Sequence, residues 1–405
     1  MTPGTLLCYL LGSRRAIEAV AATPQAVWLG GLLVLSAAFA REYDGTDLLR
    51  EPGHLAVPLG ASLATSFVLF FLATAAFRPR RRERQHGPGF WRGYWSFLGL
   101  YWLTAPLAWL YAIPVERFLS PVGAVQANLW LLAIVSTWRV ALMTRVVAVV
   151  FDARPAAAFF LVMFFADSVA VVALVWQAAH VLGVMSGARW TEAEGILRDW
   201  TQTTLFWSIM SWPVWLIGAI VVVFRRFYVP WQPRVLAVGG GSVGWSLWVL
   251  AAAALVVWAF ILPFTQPPLR LAHKAEALVL SDRFVDGLRE MSRHERSDYP
   301  PLWNPPPKPE HGDRQPGVVA IVQGLIEADA APWVQEVYLD KIERVLRLHQ
   351  SVFEVSEDVK RIGYDRFVKL LEQMPEGRRL MERNEFEMEF LRSQVASLED
   401  QATRE

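Results

Sequence analysis

The chain has 405 residues, 54% of them apolar, with 19 tryptophans and a net charge of only +1, a composition too greasy and too aromatic for an ordinary soluble protein. Residues 1–265 carry 19 arginines, no lysine and 12 acidic residues, net +7, whereas residues 266–405 carry 20 basic against 26 acidic residues, net −6. That split fits a membrane module joined to a solvated one; the lone Cys8 excludes an intrachain disulfide, and the negative tail argues against nucleic-acid binding by that part.

At the start, a short apolar patch from Leu6 to Leu11 precedes Arg14 and Arg15. The patch is too short to span a bilayer, so residues 1–24 read as an interfacial segment with no cleavable signal peptide. The stretch from Leu11-Gly-Ser-Arg-Arg-Ala-Ile17 to Pro24 resembles the opening segment of bacterial multi-pass membrane proteins of the Yip family. The resemblance covers about the first 40 residues, rests on spacing, and assigns no functional residue.

Apolar runs near 20 residues then mark about seven spans: 25–40, 57–77, 95–114, 124–150, 156–184, 203–224 and 242–264. The loops between them alternate in charge. One set holds Arg14 and Arg15, the arginines of 78–92, Arg154, and Arg225, Arg226 and Arg234; the other holds Glu42, Asp44, Asp47, Glu51, Glu116, Glu192, Glu194 and Asp199. The positive-inside rule therefore puts the N-terminus in the cytoplasm and, with seven spans, the tail outside. Trp91, Trp95, Trp109, Trp207 and Trp258 lie near span ends and read as headgroup-level anchors. Pro213 should kink the sixth span.

Two charges interrupt the fourth and fifth spans, on either side of the break at Asp152-Ala-Arg-Pro155. Arg139 lies 13 residues before Asp152, and Asp167 lies 12 residues after Pro155. Helices rising about 1.5 Å per residue put both at similar depth. Each costs about 2.5–3.5 kcal/mol near the bilayer centre even on lenient scales, so such groups pair or line a cavity. Arg139 and Asp167 are expected to form a buried ion pair fixing the register of the two spans. The alternative makes Asp167 a proton or cation site tuned by Arg139. Arg145, nearer the cytoplasm, can snorkel toward headgroups, and His180 reads as interfacial.

The glycine string Leu236-Ala-Val-Gly-Gly-Gly-Ser-Val-Gly244 satisfies both a dinucleotide pattern (Gly239, Gly241, Gly244) and a nucleophile-elbow pattern (Gly240, Ser242, Gly244). A dinucleotide site needs an acid about 20 residues on, and none occurs before Glu276. An elbow needs a histidine beside the serine; only His86 shares the side of Ser242, without an orienting partner. Gly240 and Gly244 are better read as letting the seventh span approach a neighbour closely. Seven scattered histidines and no metal-binding motif support neither metal nor cofactor, and no catalytic residue is assigned. The basic loop 78–92 reads as a contact for anionic headgroups.

Beyond Pro267-Pro268, residues 265–298 read as an amphipathic helix with Leu271, Ala275, Leu278, Val285 and Leu288 on one face. Residues 299–316 hold seven prolines and predict an extended spacer. From 317 to 405 the pattern is helical. A helix near Val318–Ala328 precedes a longer one in which Tyr338, Ile342, Val345, His349, Val352 and Val359 repeat at steps of four and three. A coiled coil or a bundle would bury that stripe. Pro375 and Gly377 interrupt the pattern, and a last helix carries Leu391, Val395 and Leu398.

The expected fold is an all-α polytopic transmembrane bundle (residues 25–264) with a C-terminal helical extramembrane domain. The leading functional expectation is a non-enzymatic scaffold or sensor in a bacterial inner membrane, its tail assembling with itself or a partner through the stripe Tyr338, Ile342, Val345, Val352 and Val359. A small transporter or channel centred on Asp167 is the alternative, and a membrane enzyme ranks last.

Overall fold

The computed structural model describes residues 1–77, 89–181, 192–225, 240–301, 303–307, 316–347 and 349–404. The arginines 78–84, residues 182–191, the start of the glycine string and most of the 308–316 proline stretch lie outside these residues. Everything described is helix, turn or coil. Contacts divide the chain into two compact units: residues 1–175 with 192–266, and residues 176–191 with 267–405.

The first unit is a polytopic membrane bundle. Six of its helices are long and apolar enough to cross a bilayer, or seven if a bent N-terminal pair counts as one. That pair is α2 (Arg14–Ala21) and α3 (Ala26–Glu42), meeting at 106°, preceded by α1 (Pro3–Leu10). Helix α2 buries Ile17 and Val20 and leaves Arg14 and Arg15 exposed. At 17 residues, or about 26 Å at 1.5 Å per residue, α3 is slightly shorter than the roughly 30 Å of a bilayer's hydrocarbon core.

Next come α4 (Ala56–Ala76) and α5 (Phe90–Trp102). The expected third span is not one regular helix. After Trp102 the chain turns and continues as a 3₁₀ helix over Ala105–Ala112, because Pro106 brings no backbone donor to continue an α-helix. Glycines bring α3 and α5 together: a methyl group at Gly30 would sit 2.7 Å from the Trp102 Cβ. Polar handles of the aromatics are satisfied internally, Trp102 donating to Ser62 Oγ at 2.8 Å and Trp109 to Ser36 Oγ at 3.0 Å. The half-buried Trp109 and the buried Trp258, which packs on Tyr43, thus turn toward the protein, whereas Trp91, Trp95 and Trp207 stay exposed.

Helices α6 (Pro121–Val150) and α7 (Pro155–Val181) form a hairpin about the expected break. Asp152 takes φ +47°, and the Asp152 and Ala153 amides donate to Val149 and Ala148. This is the hydrogen-bond pair that usually closes a helix on glycine. Helix α8 (Glu192–Arg225) carries Pro213 in its interior. Helix α9 runs without interruption from Trp245 to Leu280. The span expected to end near 264 and the amphipathic helix expected after it are one element: Pro267 and Pro268 lie inside α9, where Gln266 Nε2 donates to the Tyr43 and Thr46 carbonyls.

The second unit has its own core. The end of α9 contributes Ala272 and Ala275, and α10 (Phe284–Ser292) contributes Leu288 and Met291. Around them pack α11 (Val318–Glu327), α12 (Pro332–Leu346), α13 (His349–Lys360), α14 (Tyr364–Glu372), α15 (Pro375–Arg383) and α16 (Glu385–Arg404). The single long helix expected across the stripe is two helices, α12 and α13, although no glycine or proline marks the division. The described part of the proline stretch is no free spacer. Tyr299 is buried and stacked on Trp303 at 4.5 Å, Pro305 and Pro307 are buried, Tyr338 Oη donates to the Pro306 carbonyl, and the buried Lys341 Nζ donates to Pro305 and Pro307.

Candidate functional site

Helices α7 and α8 pack through aromatic rings spaced a turn apart. Trp215 meets Phe159 and Phe160, with ring centroids 5.7 and 6.0 Å away, and Trp212 meets Phe164 at 5.7 Å. Gly218 leaves room for the Phe160 ring. Two polar contacts sit in this apolar seam. Trp212 Nε1 donates to Ser168 Oγ at 2.9 Å, and Ser211 Oγ donates to Asp167 Oδ2 at 2.9 Å. Asp167 is buried, 9% exposed, so its carboxylate depends on such donors.

From Ser211 a groove of about 570 Å³ follows α8, lined by Asp199, Thr203, Thr204, Trp207, Ser208 and Ser211. Asp199, Thr203, Ser208 and Ser211 follow one another at steps of four, five and three, so one side of an otherwise apolar helix carries a row of polar groups. Twelve residues at about 1.5 Å each make it roughly 18 Å long. A carboxylate reached by a row of hydroxyls can hold a proton or a small cation. It has no nucleophile–base pair, and among the described residues no group of three metal-binding side chains occurs. The hydroxyl line was legible as spacing, Asp199-x₃-Thr203-x₄-Ser208-x₂-Ser211, but hydroxyls are mild on a hydropathy scale beside two charges.

The two intramembrane charges have separate partners. The Arg139 guanidinium lies over the Tyr101 ring, 4.7 Å from its centroid, a cation–π contact that keeps the charge among aromatics. Tyr101 Oη in turn lies 3.0 Å from Thr65 Oγ1. No ion pair within 4.0 Å joins Arg139 to Asp167. Equal depth does not fix rotation about a helix axis, and Arg139 turns toward α5 while Asp167 turns toward α8. Arg145 is exposed and donates to the Gly12 carbonyl at 3.3 Å. The side chain of His180 lies outside the described residues.

The glycine string contacts the N-terminal segment. Gly244 N–H donates to the Met1 carbonyl at 2.8 Å, Met1 N donates to the Ser242 carbonyl at 2.6 Å, and Val243 N–H donates to Gln25 Oε1 at 3.0 Å. Gly244 is needed for that approach, since a Cβ there would lie 2.7 Å from the Met1 oxygen, whereas Gly240 faces open space. Among the described residues no histidine hydrogen-bonds to Ser242.

In the second unit, Tyr338, Ile342, Val345 and Val359 are buried in that unit's own core. The Val352 side chain lies outside the described residues. No protein-family model, curated protein or solved structure matches the chain.

Proposed function

We propose that this multi-pass helical membrane protein is a non-enzymatic scaffold or sensor whose working part is the C-terminal helical domain that begins with the end of α9. The observation that supports this reading is the self-contained core of that domain. Tyr338, Ile342, Val345 and Val359 of the stripe are buried inside it, so the domain presents a folded, charged surface rather than an open zipper. Partners are then met by that surface, and assembly does not run through the stripe. The test is proximity labelling from a tag fused after Glu405, comparing the wild type with Tyr338→Asp. A scaffold or sensor gives a reproducible set of neighbours that the substitution abolishes while the spans stay inserted. The same neighbours in both proteins would sink the reading.

A second reading is favoured by the seam between α7 and α8: Asp167 is an intramembrane proton or cation site fed along the hydroxyl line from Asp199. In proteoliposomes, Asp167→Asn should then abolish pH-coupled flux, and Ser211→Ala should reduce it about tenfold, the worth of one charge-assisted hydrogen bond. Absence of flux in the wild type rules this reading out.

A further inference from the structure

The bend between α2 and α3 faces the first turn of α5 across a cavity of about 350 Å³. Pro24, Val27, Trp28, Arg92, Trp95 and Ser96 line it. Trp28 is 70% exposed and Trp95 53%, so two indole rings flank the opening without burying themselves in the protein.

Arg92 is the third residue of α5, an unusual place for a cation. The free amides of a helix's first turn already carry partial positive charge, and a cation there is disfavoured by about 0.3–1 kcal/mol unless an anion sits nearby. Helix α5 begins at Gly89 with no side-chain cap and has no acid in its first turn. Among the described residues, Arg92 makes no ion pair or hydrogen bond. Among the described residues the hollow is thus lined by one guanidinium from the first turn of α5 and two exposed tryptophans, with no acidic side chain. Exposed indoles favour the headgroup–acyl boundary over bulk water.

We propose that this elbow binds one anionic phospholipid, its phosphodiester on Arg92 and its glycerol and upper acyl carbons between Trp28 and Trp95. Arginine suits a phosphodiester because its planar fork donates two parallel hydrogen bonds. A free phosphate would have no use for the tryptophans, which is why a lipid is the occupant. The site shares no residue with the α7–α8 seam or the helical tail, so it stands whichever function holds.

The test uses the full chain in nanodiscs containing both phosphatidylglycerol and phosphatidylcholine, released into detergent and read by native mass spectrometry. The wild type should retain phosphatidylglycerol selectively. Arg92→Gln should lower that retention about tenfold or more, Arg92→Lys should retain an intermediate amount, and Arg15→Gln should behave as wild type. Trp28→Ala with Trp95→Ala gives a second route to loss if Arg92→Gln proves unstable. Equal retention of both lipids, unchanged retention in Arg92→Gln, or complete displacement by inorganic phosphate alone would each overturn the proposal.

Discussion

Three aspartates occupy backbone conformations usually left to glycine: Asp152, Asp282 and Asp329, with φ of +47°, +61° and +49°. Each follows a helix end, and the amide after it donates back into the last turn, Ala153 to Ala148, Arg283 to Leu278 and Ala330 to Leu325. A short polar side chain tolerates this region better than most, yet glycine tolerates it without strain. Asp329→Gly should therefore raise unfolding stability by about 0.5–1 kcal/mol, and Asp329→Val should lower it by about 1 kcal/mol or more, read by chemical denaturation. These stops were poorly legible because the usual glycine signal is absent; only the Asp152 break showed, through Arg154 and Pro155 beside it.

Glu290 is the other residue whose behaviour follows from its surroundings. It is buried and accepts from Lys274 Nζ at 2.5 Å and Arg293 Nη1 at 2.9 Å. The Lys274 hydrogen bond, ahead of the nearby positive charges, holds its carboxyl below the ordinary glutamate value of 4.5. An acid with a depressed folded pKa contributes stability above its unfolded value and loses it as pH falls through the folded one. Melting temperature should thus drop as pH is lowered from 4.5, and Glu290→Gln should flatten that acid limb while costing about 1 kcal/mol at neutral pH. An unchanged limb in the variant would contradict the assignment.

At the scale of elements, contact between helices depends on where side chains are missing. Gly30→Ala places a methyl 2.7 Å from the Trp102 Cβ, an atom bonded directly to the α5 backbone that cannot swing aside. It should cost about 1–3 kcal/mol, seen as a lower melting temperature in detergent. Gly240→Ala meets open space and should stay within about 0.5 kcal/mol. The sequence showed the glycine string but not what approaches it, because its partner is the N-terminal segment, over 200 residues away. Depth was similarly legible where rotation was not. The spacing about Asp152 and Pro155 sets Arg139 and Asp167 on neighbouring helices, and only the packing gives Tyr101 to one and Ser211 to the other. The proline pair 267–268 misled for a different reason: proline disfavours a helix interior, but tertiary hydrogen bonds from Gln266 hold α9 through that point.

For the whole molecule, the charge split between residues 1–265 and 266–405 anticipated the membrane bundle and the second helical unit, since composition reports solvent directly. Span parity is harder, because the bent α2–α3 pair decides between six and seven. Arg14 and Arg15 before α3, with Glu42, Asp44 and Asp47 at its end, favour a crossing, so a side-specific reporter after Glu405 should be active only outside. Activity only inside would make α2–α3 a re-entrant pair. Of the stripe expected as an assembly surface, Tyr338, Ile342, Val345 and Val359 are instead interior: a periodic apolar stripe says that something covers it, not whether the cover comes from the same chain. Here α10, α11 and the 299–307 segment belong to the same core as Tyr338. The most direct test of a self-contained tail is hydrogen exchange on the full-length protein in nanodiscs, wild type against Tyr338→Asp. Slow exchange from Tyr338 to Val345 in the wild type, lost in the variant while α6 and α7 keep their protection, is the expected result. Fast exchange along that stretch in the wild type, or a pattern the substitution leaves unchanged, would contradict it.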